Sequence, residues 1–333
     1  MYQNQTKYIG NLAQLFGVKE YTLSGGRQNG VSAVDISCGN GLDLTVIADR
    51  CMDIYQLKFK GINLNYLSST GIVAPTYYES EGANWMRSFF GGFLTTCGLT
   101  TIGTGSVDDG EALGIHGRIG NIPAEHFSTD ISMVDGNPQV KLKGIMNESV
   151  MFGSCLSLTR EITCNYNSNI IFLTDTVVNT GYRSAPHMIL YHFNIGYPLL
   201  SESASLHIPT SAVTPRDEYA ANMQSRRNII DPPQPDARES CFYHDMESDE
   251  KGIVSVGVDN PSENIGIRIR YDKHALPYFV QWRMLGEGEY VTGLEPANAP
   301  IDGRDKARSQ GCLPFINPGE KRIYRFEIEA YTL

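Results

Sequence analysis

The sequence has no CxxC cysteine pair and no HExxH run, so neither pattern of a familiar metal cage is written in it. Its seven cysteines, at 38, 51, 97, 155, 164, 241 and 312, are odd in number and dispersed. That usage fits reduced thiols in a cytoplasm better than a disulfide framework. Positive charge is scarce: 27 Lys and Arg stand against 37 Asp and Glu, a formal net charge of -10. Phosphate backbones bind basic surfaces, so no nucleic-acid partner is expected. No apolar run could span a bilayer, and the polar N-terminal residues lack a signal-peptide pattern. A cytoplasmic chain with no membrane partner is the expectation. There is no G-x-S-x-G nucleophile elbow. The Gly-rich run from Gly103 to Gly110 lacks both the GxGxxG and the Lys-Ser/Thr ending of a phosphate loop. Long amphipathic helices are missing too.

What remains is a succession of strand patterns. Leu42, Leu44 and Val46 alternate with polar residues, as do Tyr55, Leu57 and Phe59. Alternation continues through residues 140–178, 265–271 and 278–285. It ends in a strand that places Tyr324, Phe326, Ile328 and Ala330 on one face and Arg325, Glu327 and Glu329 on the other. A short helix is expected over Asn11–Phe16, stopped by Gly17. Residues 198–251 read as a long loop-like insertion, a rim over a cleft. Strand patterns on its two sides need each other for burial, so residues 1–333 are expected to form one domain. The class is all-β, with two large antiparallel sheets packed face to face and few short helices.

The central stretch is Leu190-Tyr191-His192-Phe193-Asn194-Ile195-Gly196-Tyr197-Pro198. Alternation sends His187, Ile189, Tyr191, Phe193 and Ile195 to one face and Met188, Leu190, His192 and Asn194 to the other. A histidine and an amide on that second face suggest a pocket wall, although a hydrogen-bonded structural histidine reads the same way. Far along the chain, Glu295 sits between Leu294 and Pro296. An acid with apolar neighbours is desolvated, which favours its protonated form and makes it a better base. General acid–base chemistry needs two titratable groups across one small molecule, and His192 with Glu295 is the pair of choice. In Ile115-His116-Gly117-Arg118, His116 and Arg118 are two apart and project the same way if the backbone is extended, where they could hold sugar hydroxyls or a carboxylate; a solvated loop is the other reading. Ala48–Asp53, with Arg50 and Asp53, is either a turn or a functional edge. Around Trp282, alternation assigns Trp282 to the core with Tyr278 and Val280, and Gln281 and Arg283 to the pocket.

The segments Ile115–Arg118, Leu190–Asn194 and Gly293-Leu294-Glu295-Pro296 resemble, in order, three marker regions of the aldose 1-epimerases, or galactose mutarotases. The runs Phe90–Leu99 and Tyr191–Pro198 are more specifically similar to the aldose-1-epimerase-like branch of that superfamily. The resemblance covers most of the chain. It implies a single β-supersandwich domain with an open sugar cleft and no metal or organic cofactor. It matches His192 to the catalytic acid, Glu295 to the base and His116 to a sugar-holding histidine. Arg118, Arg50, Asp53, Asn194, Gln281 and Arg283 are further candidates to bind substrate. Two features depart from the family: the step from His192 to Asn194 is short, and the usual hydroxyl-binding aspartate has no clear counterpart, Asp272 being one candidate. The implied function is interconversion of the anomers of a sugar or modified sugar. A sugar isomerase or lyase on the same scaffold, and a non-catalytic carbohydrate-binding protein, are the alternatives. The partner is a small sugar, and a homodimer is compatible with the sequence.

Overall fold

The computed structural model describes residues 2–333. Three large antiparallel sheets, with two small two-stranded ones, build the described residues. A five-stranded sheet takes the strands from Gly17–Thr22 to Ile62–Asn63 in sequence order. An eight-stranded sheet has the C-terminal strand, Lys321–Thr332, at its middle, paired to Ile170–Asn179 on one side and Ile265–Asp272 on the other. The expected inward face of that strand, Tyr324, Phe326, Ile328 and Ala330, is buried. The third sheet has six strands, in the order Thr210–Pro215, Ser240–Met246, Tyr278–Gly286, Glu289–Ala297, Met188–Gly196 and Leu94–Leu99.

The six-stranded sheet turns one face to the eight-stranded sheet. Tyr191 and Phe193 meet Phe326 there, with ring centroids 4.5 and 5.3 Å apart. Burial of apolar area at about 25 cal/mol per Å² makes this interior the main stabilising term. The all-β class and the packing of two large sheets are therefore as the alternation indicates. Two local readings need correction. The expected helix at Asn11–Phe16 is a single 3-10 turn, Leu12–Gln14, closed by reciprocal Asn11 and Gln14 caps. Residues 198–251 are not simply an insertion: Thr210–Pro215 and Ser240–Met246 are strands of the six-stranded sheet, and Glu218–Met223 is a short helix capped by Asp217. Thr210–Pro215 is the exposed edge of that sheet, and Ser240–Met246 lies inside it, paired to Thr210–Pro215 and Tyr278–Gly286.

A charge cluster joins the three sheets. Arg160 bonds Asp175 through Nε and Nη2 at 2.9 and 2.7 Å, and Asp53 through Nη1 at 2.7 Å. Its Nη2 also donates to Thr96, while Tyr191 donates its hydroxyl to Asp175. Asp53 further accepts the Thr96 N–H and hydroxyl. Arg160 and both aspartates are 0% exposed. A buried ion cluster is tolerated when every member is hydrogen-bonded, and this one is. Asp53 comes from the five-stranded sheet, Arg160 and Asp175 from the eight-stranded, and Thr96 and Tyr191 from the six-stranded. The cluster thus ties His192's own strand, through Tyr191, and its neighbour Leu94–Leu99, through Thr96, to the other two sheets.

Candidate active site

His192 points away from that cluster, because neighbouring side chains on a strand alternate between faces. The pairing of its strand to Glu289–Ala297 matches Phe193 with Leu294 and Leu190 with Ala297, and the same register sets Glu295 opposite His192. Val280 stands opposite Glu295 on its other side. Sequence residues about a hundred apart are thereby neighbours on one sheet face. His192 Nε2 lies 3.2 Å from Glu295 Oε1, and both side chains are nearly buried. The approach is close, yet the ring N–H is not aligned on the carboxyl oxygen. Glu295 Oε1 and His192 Nδ1 are both without a hydrogen-bond partner.

Burial decides the protonation of the pair. It pushes the Glu295 carboxyl well above the ordinary carboxylate range, with the nearby Glu239 adding to the shift. It pulls His192 down to about 4, against a smaller opposing effect of the Asn194 amide. His116 is lowered to about 3, by burial first and then by His192 and Arg216. Desolvation penalises the charged form of each group. His192 is therefore a neutral imidazole near neutral pH, and burial favours the protonated form of the Glu295 carboxyl beside it.

Aromatic rings wall the pair. Phe89 and Trp282 lie 5.5 and 5.3 Å from the His192 ring, centroid to centroid, and His116 lies 5.7 Å from it. Trp85 stacks on Phe89 and also meets His116, both at 4.7 Å. Trp282 donates its indole N–H to Glu239 at 2.9 Å. Beyond Glu295, Arg216 donates to Thr104 at 2.6 Å and approaches Asp302, which accepts the Tyr243 hydroxyl. Flat apolar walls around a few convergent polar groups are the usual make-up of a small-molecule site.

Of the residues singled out from sequence, His192, Glu295, His116 and Asn194 converge here. Asn194 is on the same strand face as His192, with its amide nitrogen bonded to the Gly91 and His192 carbonyls and its Oδ1 unpartnered. The other candidates go elsewhere. Arg50 is buried in the Ala48–Met52 turn and spends its guanidinium on three carbonyls, those of Gly120, Val73 and Ser88. It ties down the segments that carry Phe89 and His116 but cannot reach a ligand. Asp53 belongs to the Arg160 cluster. Gln281 bonds His244 and the Arg227 carbonyl, and Arg283 bonds Asp231 and the Ile229 carbonyl. Both face away from His192 and pin the irregular 226–231 loop. Asp272 caps the turn at His274 in the eight-stranded sheet. Arg118 is exposed and lines a separate cavity. Its expected alignment with His116 fails because His116 and Gly117 have φ of 58° and 71°, so the backbone there is not extended.

Trp282 is the reverse correction. Its face of the strand packs on a small apolar cluster that floors the cleft, not on the main core. Alternation separated Trp282 from Gln281 and Arg283 correctly but could not say which face was the open one. Phe89, Trp85, Arg216, Glu239 and Asp302 carry no local signal; they come from turns and loops brought in by the sheet. Among the described residues, no group of three or more His, Cys, Asp or Glu could hold a metal ion. No helix among them is long and apolar enough to cross a membrane.

Solved structures share this architecture. A candidate aldose 1-epimerase from Klebsiella pneumoniae superposes with a TM-score of 0.90 over 95% of this chain and 83% of that one, at 24% identity. A galactose mutarotase-like protein from Clostridium acetobutylicum gives 0.66 over 96% of this chain and 100% of the other, at 13% identity. A galactose 1-epimerase from Lactobacillus acidophilus gives 0.61 over 95% and 99%, at 14% identity. At these identities the likeness establishes the fold, which is that of the galactose mutarotases. No curated protein matches the sequence. Residues 28–330, most of the chain, match the model of one family, and the chain belongs to it: the Domain of unknown function (DUF4432) family.

Proposed function

We propose that the protein is an aldose 1-epimerase, which interconverts the anomers of a sugar by acid–base ring opening at His192 and Glu295. The observation that carries this reading is the 3.2 Å approach of the two buried groups, each with an atom left unpartnered. Anomer exchange needs one group to take the O1 proton and one to protonate the ring oxygen. From the ionised pair, Glu295 takes the O1 proton and His192 gives its own to the ring oxygen. The bond from C1 to the ring oxygen breaks as the C1 carbonyl forms. Rotation about C1–C2 and reclosure with reversed roles yield the other anomer and restore both groups. Burial favours the neutral form of the pair, in which the same single proton sits on Glu295 and His192 is the base. Either form serves, because the reaction returns the proton it borrows. Losing that proton, or adding a second, stops it.

Trp282 and Phe89 offer flat faces to the sugar's C–H surface, and Asn194 and His116 are the nearest groups for its hydroxyls. Each of the two proton-transfer groups should contribute on the order of 10²–10⁴-fold. The test is one-dimensional exchange NMR on the purified protein with a panel of aldoses, uronic acids and sulfonated sugars. The expected result is faster anomer exchange for one class, with no solvent deuterium at C2 or C5. Binding without acceleration would leave a carbohydrate-binding protein. Deuterium at C2 or C5 would replace the reading by an isomerase or lyase.

A further inference from the structure

The three large sheets end in six edge strands, and an edge strand offers a row of unpaired backbone N–H and C=O groups. Natural edges are kept short, covered, bulged or charged, so that no further strand adds to them. Five of the six are handled in this way. Ile62–Asn63 and Ser205–His207 have two and three residues. Leu94–Leu99 is buried throughout, with Gly98 bridged to Gly117 on its outer side. Thr210–Pro215 has a register shift between Thr210 and Ala212 and ends in proline, and the Glu218–Met223 helix packs beside it. Gly17–Thr22 is short and carries exposed Lys19 and Glu20.

The sixth edge, Glu125–Val134, is different. It has ten residues and closes one side of the eight-stranded sheet. It contains no Lys, Arg, Pro or Gly. Its ladder with Asn137–Ser149 runs without a shift from Val134 to Ser128, and the one irregularity lies past that point, between Lys143 and Ile145. Among the described residues, no strand pairs with its other side. Ile131, Met133 and Val134 are 44, 58 and 42% exposed. Ile131 faces the same way as its ladder partner Val140, which is fully buried. The apolar inner face of the sheet thus runs out to this edge uncovered. The strand is held in place from the facing sheet, where Glu20 accepts the Thr129 hydroxyl.

We propose that Glu125–Val134 is the interface at which two copies of this chain pair, edge to edge and antiparallel about a two-fold axis. The occupant is read from the strand itself: a free edge takes another strand, and this one is complementary to its own copy. With the axis at Ser132, Ile131 of one copy stands opposite Met133 of the other, and Asp130 opposite Val134. Apolar side chains meet on the inner face, and no like charges oppose. Pairing uses up the free edge of both copies, so the assembly closes at two. Each copy carries a formal net charge of -10, which opposes their approach, while Asp130–Val134 contains one charge only. Salt screens the long-range repulsion and leaves the ladder bonds and apolar contacts in place, so the dimer tightens as salt is added. The edge lies in the eight-stranded sheet and His192 and Glu295 in the six-stranded one, so the inference does not depend on the epimerase reading.

Sedimentation equilibrium of the full chain over a concentration series tests it. The mass should rise to twice that of one chain, and at lower protein concentration in high salt than in low. Ile131→Lys combined with Met133→Lys places on this edge the charge that Gly17–Thr22 already carries, and should weaken association about tenfold or more. Tyr182→Lys, at a ring that is 99% exposed elsewhere on the surface, should leave it unchanged. Hydrogen exchange on the unaltered protein reads the same interface without a variant: amides within Asp130–Val134 should gain protection as concentration rises through the dimerisation range. A single-chain mass at every concentration would overturn the proposal. So would masses running past two chains, a dimer indifferent to the double variant, or protection gained elsewhere and not in Asp130–Val134.

Discussion

Two buried clusters of acids and bases sit back to back on the six-stranded sheet. One is Arg160 with Asp53 and Asp175; the other is His192 with Glu295. Both are cut off from water, and both hold groups that prefer to be charged in it. They differ in completeness. In the first, every oxygen and nitrogen is spoken for, by Thr96, Tyr191 and the Cys51 carbonyl as well as by the ion pairs. In the second, Glu295 Oε1 and His192 Nδ1 have no partner although the two side chains are 3.2 Å apart. Strand alternation puts Tyr191 in the first and His192 in the second, so one residue step separates scaffold from site. A satisfied cluster stabilises a fold, whereas an unsatisfied one costs free energy and is retained where it serves a ligand or a reaction.

Removing a member of each cluster should therefore have opposite consequences. Arg160→Met leaves two buried aspartates facing each other. It should destabilise the protein by about 3–5 kcal/mol or prevent its folding, read as a loss of the urea midpoint or of soluble yield. Glu295→Gln should do the reverse, with anomer exchange falling on the order of 10²–10⁴-fold while the urea midpoint holds or rises. A Glu295→Gln protein as unstable as Arg160→Met would erase the distinction.

Arg50 sharpens the comparison as a buried cation whose guanidinium bonds to neither cluster. Arg50→Ala abandons three buried carbonyls and should cost about 3 kcal/mol or more, at roughly 1–3 kcal/mol for each partner lost. Exchange activity in the surviving folded fraction should remain. The pH profile reads the second cluster alone. The single shared proton becomes two when His192 is protonated, so exchange should be level through mildly acidic pH and fall below about pH 4. A fall centred on the ordinary histidine value would mean that the ring is solvated.

Glu148 gives the smallest effect. Burial raises it to about 7, above the ordinary 4.5 expected in the unfolded chain. A carboxyl raised on folding binds more protons when folded, so its contribution to stability is present at acid pH and is lost as pH rises through the window from 4.5 to about 7. Glu148→Gln should remove that loss. The variant's urea midpoint, compared with that of wild type, should improve between pH 5 and pH 8.

The strand content and the inward faces were legible because period-two alternation is a local signal; the C-terminal strand, with Tyr324 and Phe326 inward, is the plainest case. The His192–Glu295 pairing could be guessed from residue chemistry and family resemblance, but its geometry is set by a register that joins residues about a hundred positions apart. Alternation says which side chains share a face and not which face is open. Trp282 was therefore assigned to the core and Gln281 and Arg283 to the pocket, the inverse of their places. Arg118 illustrates another limit, since a left-handed residue at His116 breaks the extended backbone on which the spacing argument rests. Arg50 and Asp53 look like site residues in sequence because buried charges are rare. Only the partners they find show that their charge is consumed within the scaffold.

The central claim is that the unpartnered pair, and not the scaffold cluster behind it, exchanges protons with a sugar. It is tested most directly by anomer-exchange NMR on wild type, His192→Ala and Glu295→Ala, with the urea midpoint of each measured on the same preparation. The account predicts three folded proteins of which only the wild type accelerates exchange. Two folded variants that exchange a sugar's anomers as fast as the wild type would contradict it.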